Sequence, residues 1–390
     1  MKFGRTLKVV FLMVALVLVV FVNSGVAFAE DEKQKASLET SALSAIMVEA
    51  STGKVLFEKE PTKRLPMASV TKIMTSLLTI EALERGEVKL GDTVVTSEYA
   101  ASMGGSQVFL EPGEEMTMKE MLLGVMVGSA NDSAVAVAEH VAGSEQVFID
   151  MMNSRAAELG MKDTHFSNPT GLPVENHYTT AHDLSLLMGE VINHDLYKEF
   201  ATIKEYDLRG GDFKLWNLNK LLWWYEGVDF GKTGWTNEAA YCLASSAERD
   251  GLRLIVAVLG VPETRGHFRE SIRIYNYGFA RYKSVNIADK NALIENIPVE
   301  KGMSDSVDIV TADKVSAVVE KGGEKDISSE KVYTKRLTAP VEKGQKVGEY
   351  IVFSKEKEVQ KINLVASESV EKASVPHEMY KVMDRVYRLP

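Results

Sequence analysis

The sequence predicts a mixed α/β (α+β) domain, a sheet flanked by helices, followed by a small all-β domain. Three patterns lead there. Apolar runs of helical length, at 73–80, 119–127 and 133–141, alternate with strand-like segments as far as about residue 282. Residues 252–259 are mostly apolar and alternate poorly, which suits a central strand. Beyond 282–291 the texture changes to short Val/Ile-rich alternations, such as 306–310 and 347–353, broken by Lys-Gly and Gly-Gly turns.

The chain opens with Lys2, Arg5 and Lys8, an apolar run over 9–22, and the small-x-small site Ala27-Phe28-Ala29. This is the pattern of a cleavable secretory signal over 1–29, with the mature chain starting near Glu30. The run falls short of the roughly 20 residues of a membrane span, and an uncleaved anchor is the alternative. Export puts the protein at the outer face of the cytoplasmic membrane, in a periplasm or in the cell wall.

The first domain is expected over 38–283. Within it, residues 46–48 and 55–57 flank Ser51-Thr52-Gly53 as a hairpin, and 271–282 reads as a helix closing on the sheet. The β-rich domain is expected over 287–376. It carries no catalytic constellation, so its expected role is spacing or interaction. In the tail, 377–390, a short amphipathic helix sets Met379, Val382, Met383 and Val386 on one side and Lys381, Arg385 and Arg388 on another. It suits a membrane surface or a helix packed on the β domain.

Cys242 is the sole cysteine, so the exported chain has no internal disulfide, and this thiol is expected to be buried and inert. The net charge of −10 argues against nucleic acid as a partner. There is no H-E-x-x-H, and the seven histidines lack ligand spacing, so neither metal nor cofactor is implied.

Three short motifs follow one another: Ser69-Val70-Thr71-Lys72, Ser129-Ala130-Asn131 and Lys232-Thr233-Gly234. S-x-x-K alone is weak, because it recurs at Ser51, Ser328, Ser354 and Ser369; K-T-G is unique. Ser69 stands apart by context, since Pro66-Met67-Ala68 leads into it and an apolar helix follows. On a helix, residues three apart share a face, so Lys72 meets Ser69 and can act as its base once burial and a second cation lower its pKa. Lys232 is that second cation. Ser129 can relay a proton, and Asn131 can orient Lys72 and grip an amide; Asp132 or Ser133 would cap the next helix. Lys232 and Thr233 can hold a carboxylate, and Gly234 leaves an edge on which a substrate backbone adds as a strand. The backbone N–H groups of Ser69 and Trp235 are candidates for an oxyanion hole.

With these motifs, and with Pro112-Gly113, residues 164–172 (THFSNPTGL) and Ala240-Tyr241-Cys242-Leu243, the chain resembles the low-molecular-weight penicillin-binding proteins that are D-alanyl-D-alanine carboxypeptidases. The resemblance runs from about Leu43 to the C-terminus. It implies a penicillin-binding, serine β-lactamase-like domain in which Ser69 removes the terminal D-alanine of peptidoglycan stem pentapeptides. β-Lactams would acylate the same serine. The family binds the substrate carboxylate through K-T-G and often through a downstream basic residue, here Arg265 or His267. Ser106, in Gly104-Gly105-Ser106-Gln107, is either a substrate contact or part of a flexible turn. His165 and Asn168 are expected to shape a loop beside the cleft. Trp235 stands where some relatives carry a smaller or polar residue. The alternatives are a D,D-endopeptidase acting on cross-links and a non-catalytic penicillin-binding sensor. A class A β-lactamase is disfavoured, because 165–172 contains no Asp or Glu.

Overall fold

The computed structural model describes residues 38–387. The segment read as a secretory signal, Arg388, and the side chains of Val382, Arg385 and Val386 lie outside the described residues. Five antiparallel strands, β1 (Ser44–Glu49), β2 (Val55–Lys59), β3 (Val228–Thr236), β4 (Ala240–Arg249) and β5 (Leu252–Val261), form one sheet in the order β2-β1-β5-β4-β3. The apolar stretch at 252–259 is therefore the central strand. Its two faces are covered by different partners. Ile255, Ala257 and Leu259 join Ile46 and Val48 in the core shared with α1 (Lys72–Glu84), α2 (Met118–Leu123), α3 (Asn131–Ala142) and α4 (Ala181–Val191). Leu254 and Met47 face α5 (Gly266–Arg281), which approaches so closely that a β-carbon on Gly278 would stand 2.6 Å from Leu254 Cδ1. The burial of β1 and β5 on both sides explains why neither shows a clean alternation.

The predicted hairpin turn forms as expected. Glu49 carboxylate accepts from the N–H groups of Ser51 and Thr52, and Gly53 takes the left-handed φ of 68°. Two elements depart from the sequence reading. Helix α5 starts at Gly266 rather than Ser271, because Arg265 (φ 61°) turns the chain sharply at the end of β5 and Gly266 fits against Val261. The helix expected over 119–127 is α2 followed by a five-residue π-helical turn, Gly124–Gly128.

Strand Tyr282–Ala288 follows α5 directly and pairs with Val315–Glu320; a six-stranded sheet makes up the rest of the β-rich part. Lys54 Nζ reaches across from the hairpin to Val318 O at 3.0 Å. The C-terminal helix α6 (Val375–Tyr387) is tied by Lys381, whose Nζ lies 2.6 Å from Gly302 O and 2.7 Å from Asp305. Val375, Met379 and Met383 on it are exposed. No helix among the described residues is long and apolar enough to cross a membrane.

Candidate active site

The chain enters α1 through a single 3₁₀ turn, Ala68–Thr71, in which Ala68 has a positive φ of 49°. This turn presents Ser69 at the surface of a cleft, while Lys72 opens the α-helix and is fully buried. Lys72 Nζ lies 3.1 Å from Ser69 Oγ, 2.6 Å from Asn131 Oδ1 and 2.6 Å from Thr170 O. Burial, and then the nearby Lys232, hold its pKa well below the ordinary lysine value. A neutral amine keeps two hydrogens for the two carbonyl-type oxygens and turns its lone pair toward the serine hydroxyl.

Ser129 sits where the π-helical turn ends, in a left-handed conformation (φ 61°) that turns its hydroxyl inward. Lys232 Nζ donates to Ser129 Oγ at 2.7 Å, and burial alone lowers the Lys232 pKa to about 7. Asn131 is clamped from two sides: its Nδ2 donates to Gly104 O at 2.6 Å, and its backbone N–H to Ser106 O at 2.7 Å. The expected cap is not there. Ala130 is the N-cap of α3 with no side-chain bond, and Asp132 instead accepts from Val108 N and Leu110 N. That carboxylate fixes the strip carrying Gly104 and Ser106 against the helix.

The loop of residues 165–178 completes the floor. Asn168 Oδ1 accepts from Thr170 N and Gly171 N, and its Nδ2 donates to Leu172 O, so this side chain shapes the loop as expected. His165 lies exposed and stacks on Tyr178. Buried His177 carries no sequence signal, yet it braces the turn that holds Ser69. Its Nδ1 accepts from Ser167 N, so Nε2 carries the proton and donates to Thr71 Oγ1 at 2.7 Å. Thr71 in turn donates to Ala68 O. Burial lowers the His177 pKa to about 4.

Strand β3 is an edge of the sheet, paired among the described residues only with β4. Gly234 has a further reason beside the one expected: a β-carbon there would meet Met67 O at 2.8 Å and Ser69 N at 3.0 Å. The missing side chain lets the strand pack on the turn that carries Ser69. Ser69, Ser106 and Trp235 lie where two cavities meet, of about 360 and 520 Å³. Thr233, Arg265 and His267 line the smaller one. His267 is buried, stacks on Tyr241 and Phe268, and is held near a pKa of about 4, hence neutral, while Arg265 is exposed at the rim. Lys220 and Trp224 line the same cavity and had no sequence signal. Elsewhere, Glu81, Glu190 and His194 come within metal-ligand distance of one another, but Arg155 already bridges both carboxylates.

The fold and the cleft, with a serine beside a buried lysine, define the class of serine hydrolases. Comparison with known proteins narrows this. The profile of the D-alanyl-D-alanine carboxypeptidase family of peptidases matches residues 30–263, and that of the penicillin-binding protein 5 C-terminal domain matches 282–372. The chain is 39% identical to D-alanyl-D-alanine carboxypeptidase DacF of Bacillus subtilis, over 93% of this chain and 94% of that one. It is 33% identical to DacC of Escherichia coli, over 90% and 89%. Among solved structures, penicillin-binding protein 5 of Haemophilus influenzae superposes with a TM-score of 0.72 at 29% identity, covering 86% of this chain and 98% of that one. The chain belongs to the D-alanyl-D-alanine carboxypeptidase family, the penicillin-binding serine hydrolases.

Proposed function

We propose that this chain cleaves the terminal D-Ala-D-Ala bond of peptidoglycan stem pentapeptides through an acyl-enzyme on Ser69. The observation that carries the reading is Lys72, fully buried, disposed toward neutrality and within hydrogen-bond reach of Ser69 Oγ. Lys72 takes the hydroxyl proton as Ser69 Oγ attacks the penultimate D-alanine carbonyl. The N–H groups of Ser69 and Trp235 receive the oxyanion. Ser129, linked to Lys232, passes a proton to the departing amine, and Asn131 keeps Lys72 aimed. Lys232, Thr233 and Arg265 hold the carboxylate of the leaving residue against the edge of β3. Arg265 is preferred to His267 because it is charged and open at the rim, whereas the His267 ring is neutral and stacked. Ser106 contacts substrate between the two cavities. Water then releases the tetrapeptide; a β-lactam, acylating the same oxygen, leaves slowly.

The proposed organisation is a leader at 1–29, a catalytic domain at 38–283, a β-rich spacer at 287–376 and a membrane-surface tail at 377–390. The exposed Val375, Met379 and Met383 support the tail's role. Extracytoplasmic action follows from the substrate.

The test is D-alanine release from a synthetic pentapeptide ending in D-Ala-D-Ala, with wild type and Ser69→Ala side by side and products followed by mass spectrometry. Release of one D-alanine by wild type alone is expected. Absence of release from a protein that still binds labelled penicillin would favour an endopeptidase or a sensor.

A further inference from the structure

The two cavities that meet at Ser69 differ in chemistry. The larger runs toward Asn237 and holds an acid, Glu238. The smaller, about 360 Å³, carries Lys220 and Arg265, and none of the described residues lining it is acidic. Its wall is a continuous series of rings. Trp235 lies 6.0 Å from Tyr241, Tyr241 5.2 Å from His267, His267 4.0 Å from Phe268, and Phe268 5.3 Å from Trp224. His267 and Phe268 are buried and fix the inner part of this wall, whereas Trp224 is 50% exposed.

We propose that the smaller cavity is a leaving-group subsite for terminal D-residues with bulky apolar side chains as well as for D-alanine, and that Trp224 sets this breadth. The inference rests on the carboxypeptidase reading above. A C-terminal carboxylate is repelled by Glu238 and drawn to the side holding Lys220, Lys232 and Arg265, so the leaving residue occupies the smaller cavity and the acyl half the larger. With its carboxylate near Thr233, the leaving residue's side chain faces the ring wall. A methyl group leaves most of that space unfilled, whereas an aromatic or branched side chain gains apolar and edge-to-face contact. The neutral His267 contributes surface without charge. A cationic side chain meets Lys220 and Arg265 and is disfavoured. The chemistry is unchanged: the bond from the penultimate D-alanine carbonyl to the terminal nitrogen breaks, the leaving amine gains a proton, and water supplies the new carboxylate oxygen.

The experiment compares kcat/KM of the full-length protein on four otherwise identical peptides ending in D-Ala-D-Ala, D-Ala-D-Leu, D-Ala-D-Phe and D-Ala-D-Lys. Expected are D-leucine and D-phenylalanine released within about threefold of D-alanine or faster, and D-lysine at least about tenfold more slowly. Trp224→Ala lowers the D-phenylalanine to D-alanine ratio about tenfold, and Trp224→Phe restores most of it. Brisk D-alanine release with about a hundredfold penalty on D-phenylalanine would overturn the subsite, as would a ratio indifferent to Trp224→Ala. Failure to release any residue, D-alanine included, would overturn the carboxypeptidase reading beneath it.

Discussion

Gly171 lies so close to Ala68 that a β-carbon on it would stand 1.9 Å from the Ala68 carbonyl oxygen and 2.8 Å from Ser69 N. Both contacts are backbone, so no side chain can yield. Gly171 also has a φ of 87°, where an L side chain is strained. Gly171→Ala is therefore expected to push the 3₁₀ turn away from Lys72 and slow acylation by fluorescent penicillin about a hundredfold or more. Unchanged acylation with only a lower melting temperature would refute this coupling of loop to nucleophile.

The Lys232 ammonium has a pKa near 7, lowered by burial. A depressed lysine is charged below that pH and neutral above it, so with Lys232 in the proposed role the free enzyme loses its carboxylate anchor as pH rises through 7. The alkaline limb of kcat/KM is expected to start there. Substrate carboxylate stabilises the charged form, so the limb in kcat falls at higher pH. Lys232→Arg, which stays charged, should remove the limb near 7 while lowering activity through its altered reach to Ser129. A wild-type profile flat from pH 6 to 9 would contradict this.

Asn131 Oδ1 accepts from Lys72 Nζ at 2.6 Å. Asn131→Asp puts a carboxylate there, favours the ammonium form and raises the Lys72 pKa. Since attack needs the neutral amine, the acid limb of the acylation rate moves to higher pH, and the rate at pH 7 falls about tenfold or more. Asn131→Ala slows acylation without moving that limb upward. An Asp variant with the wild-type pH profile would exclude Lys72 as the base.

His177 gives a stability prediction. Its folded pKa of about 4 lies below the unfolded value of 6.5, so the unfolded chain binds the extra proton between those values. Stability is fully present above 6.5 and falls as pH drops toward 4, by up to about 3 kcal/mol from this group. His267, also held near 4, contributes to the same slope, so His177→Gln should make that part of the melting-temperature profile shallower without abolishing it, and should also slow acylation, because Thr71 loses its brace. If the slope between pH 6.5 and 4 is the same in both proteins, His177 is not the group that titrates.

The motif residues were legible because the proposed chemistry calls for side chains that few residue types supply. Ser69, Lys72, Ser129, Asn131 and Lys232 come together as the spacing and order of the motifs implied. The central strand and the Ser51-Thr52-Gly53 hairpin were legible from pattern alone. What the sequence does not mark works through backbone or through distance in the chain. Thr170 and Gly104 contribute carbonyl oxygens, which no side chain announces. Gly171 and Gly234 act by what they lack, and only the packed turn at Ala68 shows why. His177 lies 106 residues from Thr71, its hydrogen-bond partner. The start of α5 was misplaced because Arg265 adopts a left-handed conformation that sequence does not mark.

Cys242 is paired in register with Gly234, and its thiol rests against the carbonyls of Ala239 and Pro66, with no exposed surface. Burial pushes its pKa up to about 12, so neither oxidant nor alkylating reagent meets a thiolate while the β3–β4 ladder is closed. The protein thus carries its own single-site clock. The rate at which a thiol reagent labels Cys242 counts openings of the strand pair beneath the K-T-G motif, with no probe to install and no competing sulfhydryl. Acylation of Ser69 that rigidifies this edge would register as slower labelling, so one chromatographic time course could follow breathing of the cleft in the free and the inhibited enzyme.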